Sequence, residues 1–332
     1  MILLISIGLI VVFALHLLAA NVATGAPLVC LWLEVRERRG DKAAGLAGRR
    51  LARAALGAIW GAMLLGLTAG GLLWLAGDTA FFEALAVIPR GRLEWGLAEL
   101  AFYVICMEIY VRRWSRLRPL WHRLLAVLSA TNIMYHFPPL FAGIAVARQD
   151  PDLLGEVLTY KRLMELFFLN PETLARVAHF LLASFAVTGA ALMAVSLRLS
   201  RDGVKDGARP AKWGARLALA VTALQLPSGL FLLMQLPPAS QQALMGGDLA
   251  ATGLLGASLL LTLGLLHHLA AVAFGDTQRK VVLRAMAILG LLVLLMVGAS
   301  HTSQPLPSNA GPTAQIDRLQ KTPSFRTEST AP

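Results

Sequence analysis

"AHFLLASFAVTGAAL", residues 178–192, sets one histidine at the head of an apolar run, and "LHLLAANVATGAPL", residues 15–28, has nearly the same shape. An imidazole is expensive in a bilayer and usually marks function there. Placing His16 on His179, an offset of 163 residues, sets Thr24-Gly25-Ala26 against Thr188-Gly189-Ala190 after a slip of one. Both runs continue into basic stretches, "EVRERRGD" (34–41) and "RLSRDG" (198–203). "GGLLWLAG" (70–77) corresponds loosely to "SGLFLLMQ" (228–235), and "HFPPL" (136–140) to "HTSQPL" (301–306), where His136 and His301 are 165 apart. Two histidine pairs sharing nearly one offset predict an internal repeat.

Composition sets the class. The chain has 332 residues, 57% of them hydrophobic and 15% charged, with mean hydropathy +0.64, too apolar for a soluble globular protein. Runs of about 20 apolar residues, the length that spans a bilayer as a helix, recur at 2–33, 54–76, 94–111, 121–147, 173–197, 214–236, 249–274 and 281–303. The prediction is an all-α integral membrane protein of eight spans, built as two four-helix halves over 1–147 and 173–303. An outer connecting segment, 148–172, contains "LTYKRLMELFF", predicted as a short helix at the membrane surface. The Ser-, Thr- and Pro-rich tail, 304–332, is predicted to be disordered.

A net charge of +11 raises nucleic acid as a partner, but the basic residues alternate between connections. Arg36, Arg38, Arg39, Arg49 and Arg50 fall after the first span, Arg112, Arg113, Arg116 and Arg118 after the third, Arg198, Arg201, Lys205 and Arg209 after the fifth, and Arg279, Lys280 and Arg284 after the seventh. Residues 237–248 hold no Lys or Arg. That alternation is a topology signal: the basic loops face inward, both termini outward, as expected for a multi-pass protein of a bacterial inner membrane, with membrane lipid and not nucleic acid as its surroundings. The first apolar run lacks a basic n-region and is too long for a signal-peptide core, so it reads as a span. The two cysteines, Cys30 and Cys106, lie within spans; there is no disulfide framework and no CxxCH for c-type haem.

The histidines carry the chemistry. At 1.5 Å per residue, His16 and His136 lie about 15 Å below the outer surface and His179 about 9 Å, with His301 near the outer end of span eight. Similar depth is what two axial ligands of one haem need, and imidazole suits iron. The pairs expected are His16 with His136 and His179 with His301. Gly25 and Gly189 would let a neighbouring helix, or a flat macrocycle, approach the backbone, Asn132 would orient His136 from one turn away, and Arg176 would pair with a haem propionate. Interhelical hydrogen bonding explains any single intramembrane histidine equally well; recurrence at one offset favours ligation for the four together. His122, at the basic boundary, reads as an interfacial anchor. For His267 and His268 snorkelling is the plainest reading, with a third haem or a quinone contact as alternatives. Met234 and Met296 could ligate iron, although packing is the ordinary role of a helical methionine. Glu99, inside span three, is a candidate to take protons from a quinol, and Glu108 pairs with Arg112 at i+4. No P-loop, HExxH or nucleophile elbow is present.

"NPETLARVAHFLLASFAVTGA" (170–190) resembles the segment of cytochrome bd quinol oxidase subunit I in which an Asn-Pro precedes the low-spin haem histidine, which falls on His179. "LHLLAANVATGAPLVCLWLE" (15–34) is similar to that family's first helix, whose histidine serves a high-spin haem and falls on His16. "WSRLRPLWHRLLAVLSATN" (114–132) resembles its entry into helix four. The resemblance covers roughly the first six spans. It departs in the short "PPASQQALMGGD" (237–248), where the family has a long outer quinol-binding loop, in the absence of GRQPW, and in the eight spans predicted against the usual nine. It implies a respiratory oxidoreductase.

A second histidine on each haem would close the site oxygen needs. The reading is therefore a b-type cytochrome with two haem b groups, passing electrons between the quinone pool and a periplasmic cytochrome or iron–sulfur subunit of a larger complex. The alternatives are a bd-like terminal oxidase with an open haem at His16, and a haem-free structural or assembly subunit.

Overall fold

The computed structural model describes residues 2–114 and 116–303, so the predicted disordered tail lies outside the described residues. All regular structure described is helical. In chain order the helices are α1 (Ile2–Arg38), α2 (Lys42–Leu75), α3 (Thr79–Ala86), α4 (Arg90–Arg112), α5 (Pro119–Ala147), α6 (Tyr160–Phe168), α7 (Pro171–Arg201), α8 (Arg209–Gln235), α9 (Pro238–Gln242), α10 (Leu249–Phe274) and α11 (Arg279–Thr302). Seven of them, α1, α2, α5, α7, α8, α10 and α11, are long and apolar enough to cross a membrane. The chain is a multi-pass membrane protein.

The third of the eight expected spans, 94–111, corresponds to α4, which is not among the seven. Its 23 residues reach about 34 Å, but Arg90, Arg92, Glu94, Glu99, Glu108 and Arg112 leave it less apolar than the other seven. Their charges are handled within the bundle: Arg112 donates to Glu108 one turn away, and Arg92 and Glu99 are taken up by α5.

Helix starts follow local chemistry. Asp41, Asp78, Thr159, Asn170 and Asp248 each accept a backbone N–H in the first turn of α2, α3, α6, α7 and α10, and Pro171 follows Asn170 where its missing N–H costs nothing. Lipid tails are as apolar as leucine, so helices associate here through close packing of small residues. Ala44, Ala47, Gly48, Ala52, Ala55 and Ala62 form the buried stripe of α2, against α1. One core cluster joins α1, α2, α4 and α5, and a second joins α7, α8, α10 and α11. Leu192, Val195 and Leu199 of α7 reach into the first cluster, and Leu18 and Val22 of α1 pack on the second, so α1 and α7 are the central pair. Large apolar side chains such as Trp60, Leu64, Leu67, Leu230 and Leu260 are exposed, as lipid contact requires.

At the end away from the basic loops, α3, α5 and α6 enclose a third cluster around Ile144, Leu163 and Phe167. The helix predicted at 158–168 is present as α6, with Leu163, Leu166 and Phe167 packed into this cluster. Phe167 sits where a Cβ on Gly143 would fall, 2.6 Å from the ring. An Arg148–Asp78 ion pair of 2.6 Å and the bond from Leu158 N–H to Val87 O, 2.8 Å, tie this cap together. Helix α3 is an element that no hydropathy run announced.

Candidate functional site

His16 projects from α1 toward α2. Its Nδ1–H donates to the Ala62 carbonyl at 2.8 Å, which fixes the tautomer and leaves the lone pair on Nε2. Metal-binding histidines are commonly oriented in this way. The helix opposite is notched: a Cβ on Gly66 would stand 3.0 Å from Cε1 and 3.2 Å from Nδ1 of the ring. Phe13 stacks on the other side at 5.8 Å.

His179 repeats the arrangement on α7 and α8. A Cβ on Gly229 would stand 3.4 Å from its Cε1 and 3.8 Å from its Nδ1. Gly66 and Gly229 differ by 163 residues, as do the histidines they face. The predicted correspondence of "GGLLWLAG" with "SGLFLLMQ" is thereby shifted, because the glycine that meets its histidine in α2 is Gly66 and not Gly70 or Gly71. His179 lacks the hydrogen bond of its counterpart; its Nδ1 is buried with no partner. Each glycine leaves room for the imidazole it faces, and the buried ring nitrogen of His179 without a partner fits a site completed by a bound group.

Of the two roles open to the glycines singled out in the sequence, the structure shows close helix approach. A Cβ on Gly25 would fall 2.7 Å from the Ser184 carbonyl and 2.5 Å from Thr188 Oγ1, and one on Gly189 would fall 2.5 Å from the Gly214 carbonyl. They are contact points of α1 with α7 and of α7 with α8. At the first crossing Ser184 Oγ donates to Asn21 Oδ1 at 2.8 Å, and Asn21 and Ser184 are again 163 residues apart.

His136 and Glu99 are brought together. The imidazole Nε2–H meets Glu99 Oε1 at 2.8 Å, and Nδ1 accepts from Arg92 at 3.0 Å. Arg92 also donates to the His136 carbonyl at 3.3 Å. Asn132 bonds Glu99 through Nδ2 and not His136, and its Oδ1 is buried without a partner. Both nitrogens of His136 are thus engaged, so ligation would require breaking one of these contacts. The cluster is suited to hold and pass a proton: a carboxylate and an imidazole in direct contact, with a guanidinium fixing which ring nitrogen carries hydrogen.

His301 is exposed at the end of α11 and makes no hydrogen bond among the described residues; it lies within electrostatic reach of Arg148 and Asp78. Arg176 donates twice to Glu172, at 2.9 and 2.6 Å, so its guanidinium is already paired. His267 and His268 contact one another edge to face at 5.4 Å.

His122, expected at the interface, is fully buried. Its Nε2–H donates to the Tyr110 carbonyl at 2.9 Å, Nδ1 faces Glu34 Oε2 at 2.7 Å, and Tyr110 stacks on the ring at 4.0 Å. Arg38 donates to the same carboxylate at 2.9 Å. Glu34 therefore gathers α1, α4 and α5 at the basic end, a knot no spacing in the sequence announced.

No family model matches the chain, and no curated protein matches it by sequence. Among solved structures it is similar to the bd oxidase from Geobacillus thermodenitrificans, with a TM-score of 0.69 at 16% identity over 91% of this chain and 86% of that one. The fold is bd-oxidase-like. At that identity the likeness is one of architecture.

Proposed function

We propose that this chain is the haem-bearing membrane subunit of a respiratory electron-transfer complex, with one haem b on His16 and another on His179, exchanging electrons between membrane quinol and a redox partner. The observation that carries the proposal is the pair of notches: each histidine faces a glycine of the next long helix, and both histidines and glycines recur at 163 residues. On this reading the chain is two repeated halves that meet along α1 and α7, where the equivalent residues Asn21 and Ser184 bond to one another. When bound, haem iron supplies a one-electron couple. The Ala62 carbonyl holds the His16 ring with Nε2 free to ligate. Quinol oxidation releases protons with its electrons, and Glu99, contacting His136 and Asn132, is the carboxylate to receive one, with Arg92 holding the His136 ring. The partner, a periplasmic cytochrome or iron–sulfur subunit, would dock at the end carrying α3 and α6.

The engagement of both His136 nitrogens favours a second reading, in which His16 is the sole protein ligand of its haem and the open face reacts with oxygen or a similar small molecule. Haem content and reduced-minus-oxidised spectra of the detergent-purified protein test both. Two b haems, one lost in His16→Ala and the other in His179→Ala, are expected. Rapid carbon monoxide binding to the His16 haem, unaffected by His136→Ala, selects the oxidase. Conversion of a carbon-monoxide-inert haem to a reactive one by His136→Ala restores the His16–His136 pair and the carrier. Absence of haem from a well-folded preparation overturns both and leaves a structural or assembly subunit.

A further inference from the structure

At the basic end, α1, α7 and α8 leave a cleft of about 440 Å³ between them, within the range of about 300–1,000 Å³ in which proteins hold small ligands. Its floor is apolar, with Leu192 and Leu217, and its mouth is made by Trp32, Arg36, Trp213 and Arg216. The guanidinium of Arg36 lies over both indoles, 5.3 Å from the Trp32 ring and 4.4 Å from the Trp213 ring. Its Nε is buried and has no hydrogen-bond partner. Arg216 is exposed and donates through Nε to the Ala273 carbonyl at 3.2 Å; no acidic side chain among the described residues pairs with it. Asp41 is the nearby carboxylate, and it is shared between Arg36 at 3.2 Å and Arg209 at 3.4 Å. Arg209 also reaches Asp206, at 3.9 Å, so three arginines stand against two aspartates, and with Arg216 carrying no acidic partner the mouth is cationic above an apolar slot.

A ligand that fits must be anionic at one end and apolar along its length. Trp32 and Trp213 mark the level where headgroups lie, since indoles collect at the bilayer interface. Basic pockets between membrane helices at that depth recognise acidic headgroups. We propose that this cleft binds an anionic phospholipid, its phosphate between Arg36 and Arg216 and an acyl chain along Leu192 and Leu217. The site is separate from both histidine notches and does not depend on the haem assignment.

The test is a lipid titration of the delipidated, detergent-solubilised full chain by native mass spectrometry, with phosphatidylglycerol and phosphatidylcholine as probes. Phosphatidylglycerol is expected to bind about thirtyfold more tightly, roughly fivefold for each arginine near the headgroup. The double substitution R36Q/R216Q should bring the two lipids to parity, and R36K/R216K should keep part of the preference. Equal binding of the two lipids by the unaltered protein overturns the proposal without recourse to any variant. An unchanged preference in R36Q/R216Q overturns it too, as does a copurifying quinone that this variant loses while phosphatidylglycerol binding persists.

Discussion

Gly66 and Gly229 occupy equivalent notches with unequal clearance, and the difference can be measured. A methyl group at residue 66 would press on the His16 ring at 3.0 Å, whereas at residue 229 it would meet His179 at an ordinary 3.4 Å. Gly66→Ala should therefore lower occupancy of the haem assigned to His16, and Gly229→Ala should leave the other unchanged, as read by haem per protein and by separate spectral bands. Equal losses in the two variants would detach the notches from haem binding. Glu34 offers a second test at this scale. Replacing it by alanine leaves His122 and Arg38 without their shared carboxylate, and removing one partner of a buried ionic cluster costs about 3–5 kcal/mol. The melting temperature in detergent should fall by several degrees with spectra unaltered; an unchanged melting curve would show that the cluster contributes nothing to stability. The sequence made His16 and His179 visible because a lone polar residue stands out in an apolar run. It hid Gly66, Gly229 and the burial of His122, because each acquires meaning only from a neighbour on another helix.

Helix α4 shows how far hydropathy reads an element. Its span was legible as a position, but its charges make sense only beside α5, where Arg92, Glu99, Asn132 and His136 close into one cluster. Asn132, one turn from His136 in sequence, was expected to orient the imidazole; the carboxylate of α4 captures it instead, being the stronger acceptor. Glu99→Gln keeps the shape and removes the charge. On the proposed role it should slow electron input from quinol while leaving haem content and dithionite-reduced spectra as they are, and quinol-driven reduction followed by stopped-flow absorbance reads this directly. Unaltered reduction kinetics would remove Glu99 from proton transfer. The long apolar helices α1, α2, α5, α7, α8, α10 and α11 were legible because membrane spans need continuous apolar length. Helix α3 was not, since eight residues folded onto a cap carry no such constraint.

For the whole molecule, two of the basic connections meet: Arg50 of α2 pairs with Asp202 at the end of α7 at 2.7 Å, and Arg209 at the start of α8 pairs with Asp41 at the start of α2 at 3.4 Å. One end of the bundle is therefore densely basic, and the opposite end carries α3, α6 and α9. The proposed orientation puts the basic end in the cytoplasm, since positive loops are retained on that side during insertion. The native thiols provide a quiet background for testing it, because Cys30 and Cys106 are both buried. Met245→Cys, in the connection between α9 and α10, should react with a membrane-impermeant maleimide on intact cells, both positions being exposed in the fold, while Lys205→Cys, between α7 and α8, should react only after permeabilisation. The reverse pattern would turn the molecule over. It would carry the His16 and His179 notches, the Glu99 cluster and the docking end to the cytoplasmic side, and with them the place where a redox partner must be sought.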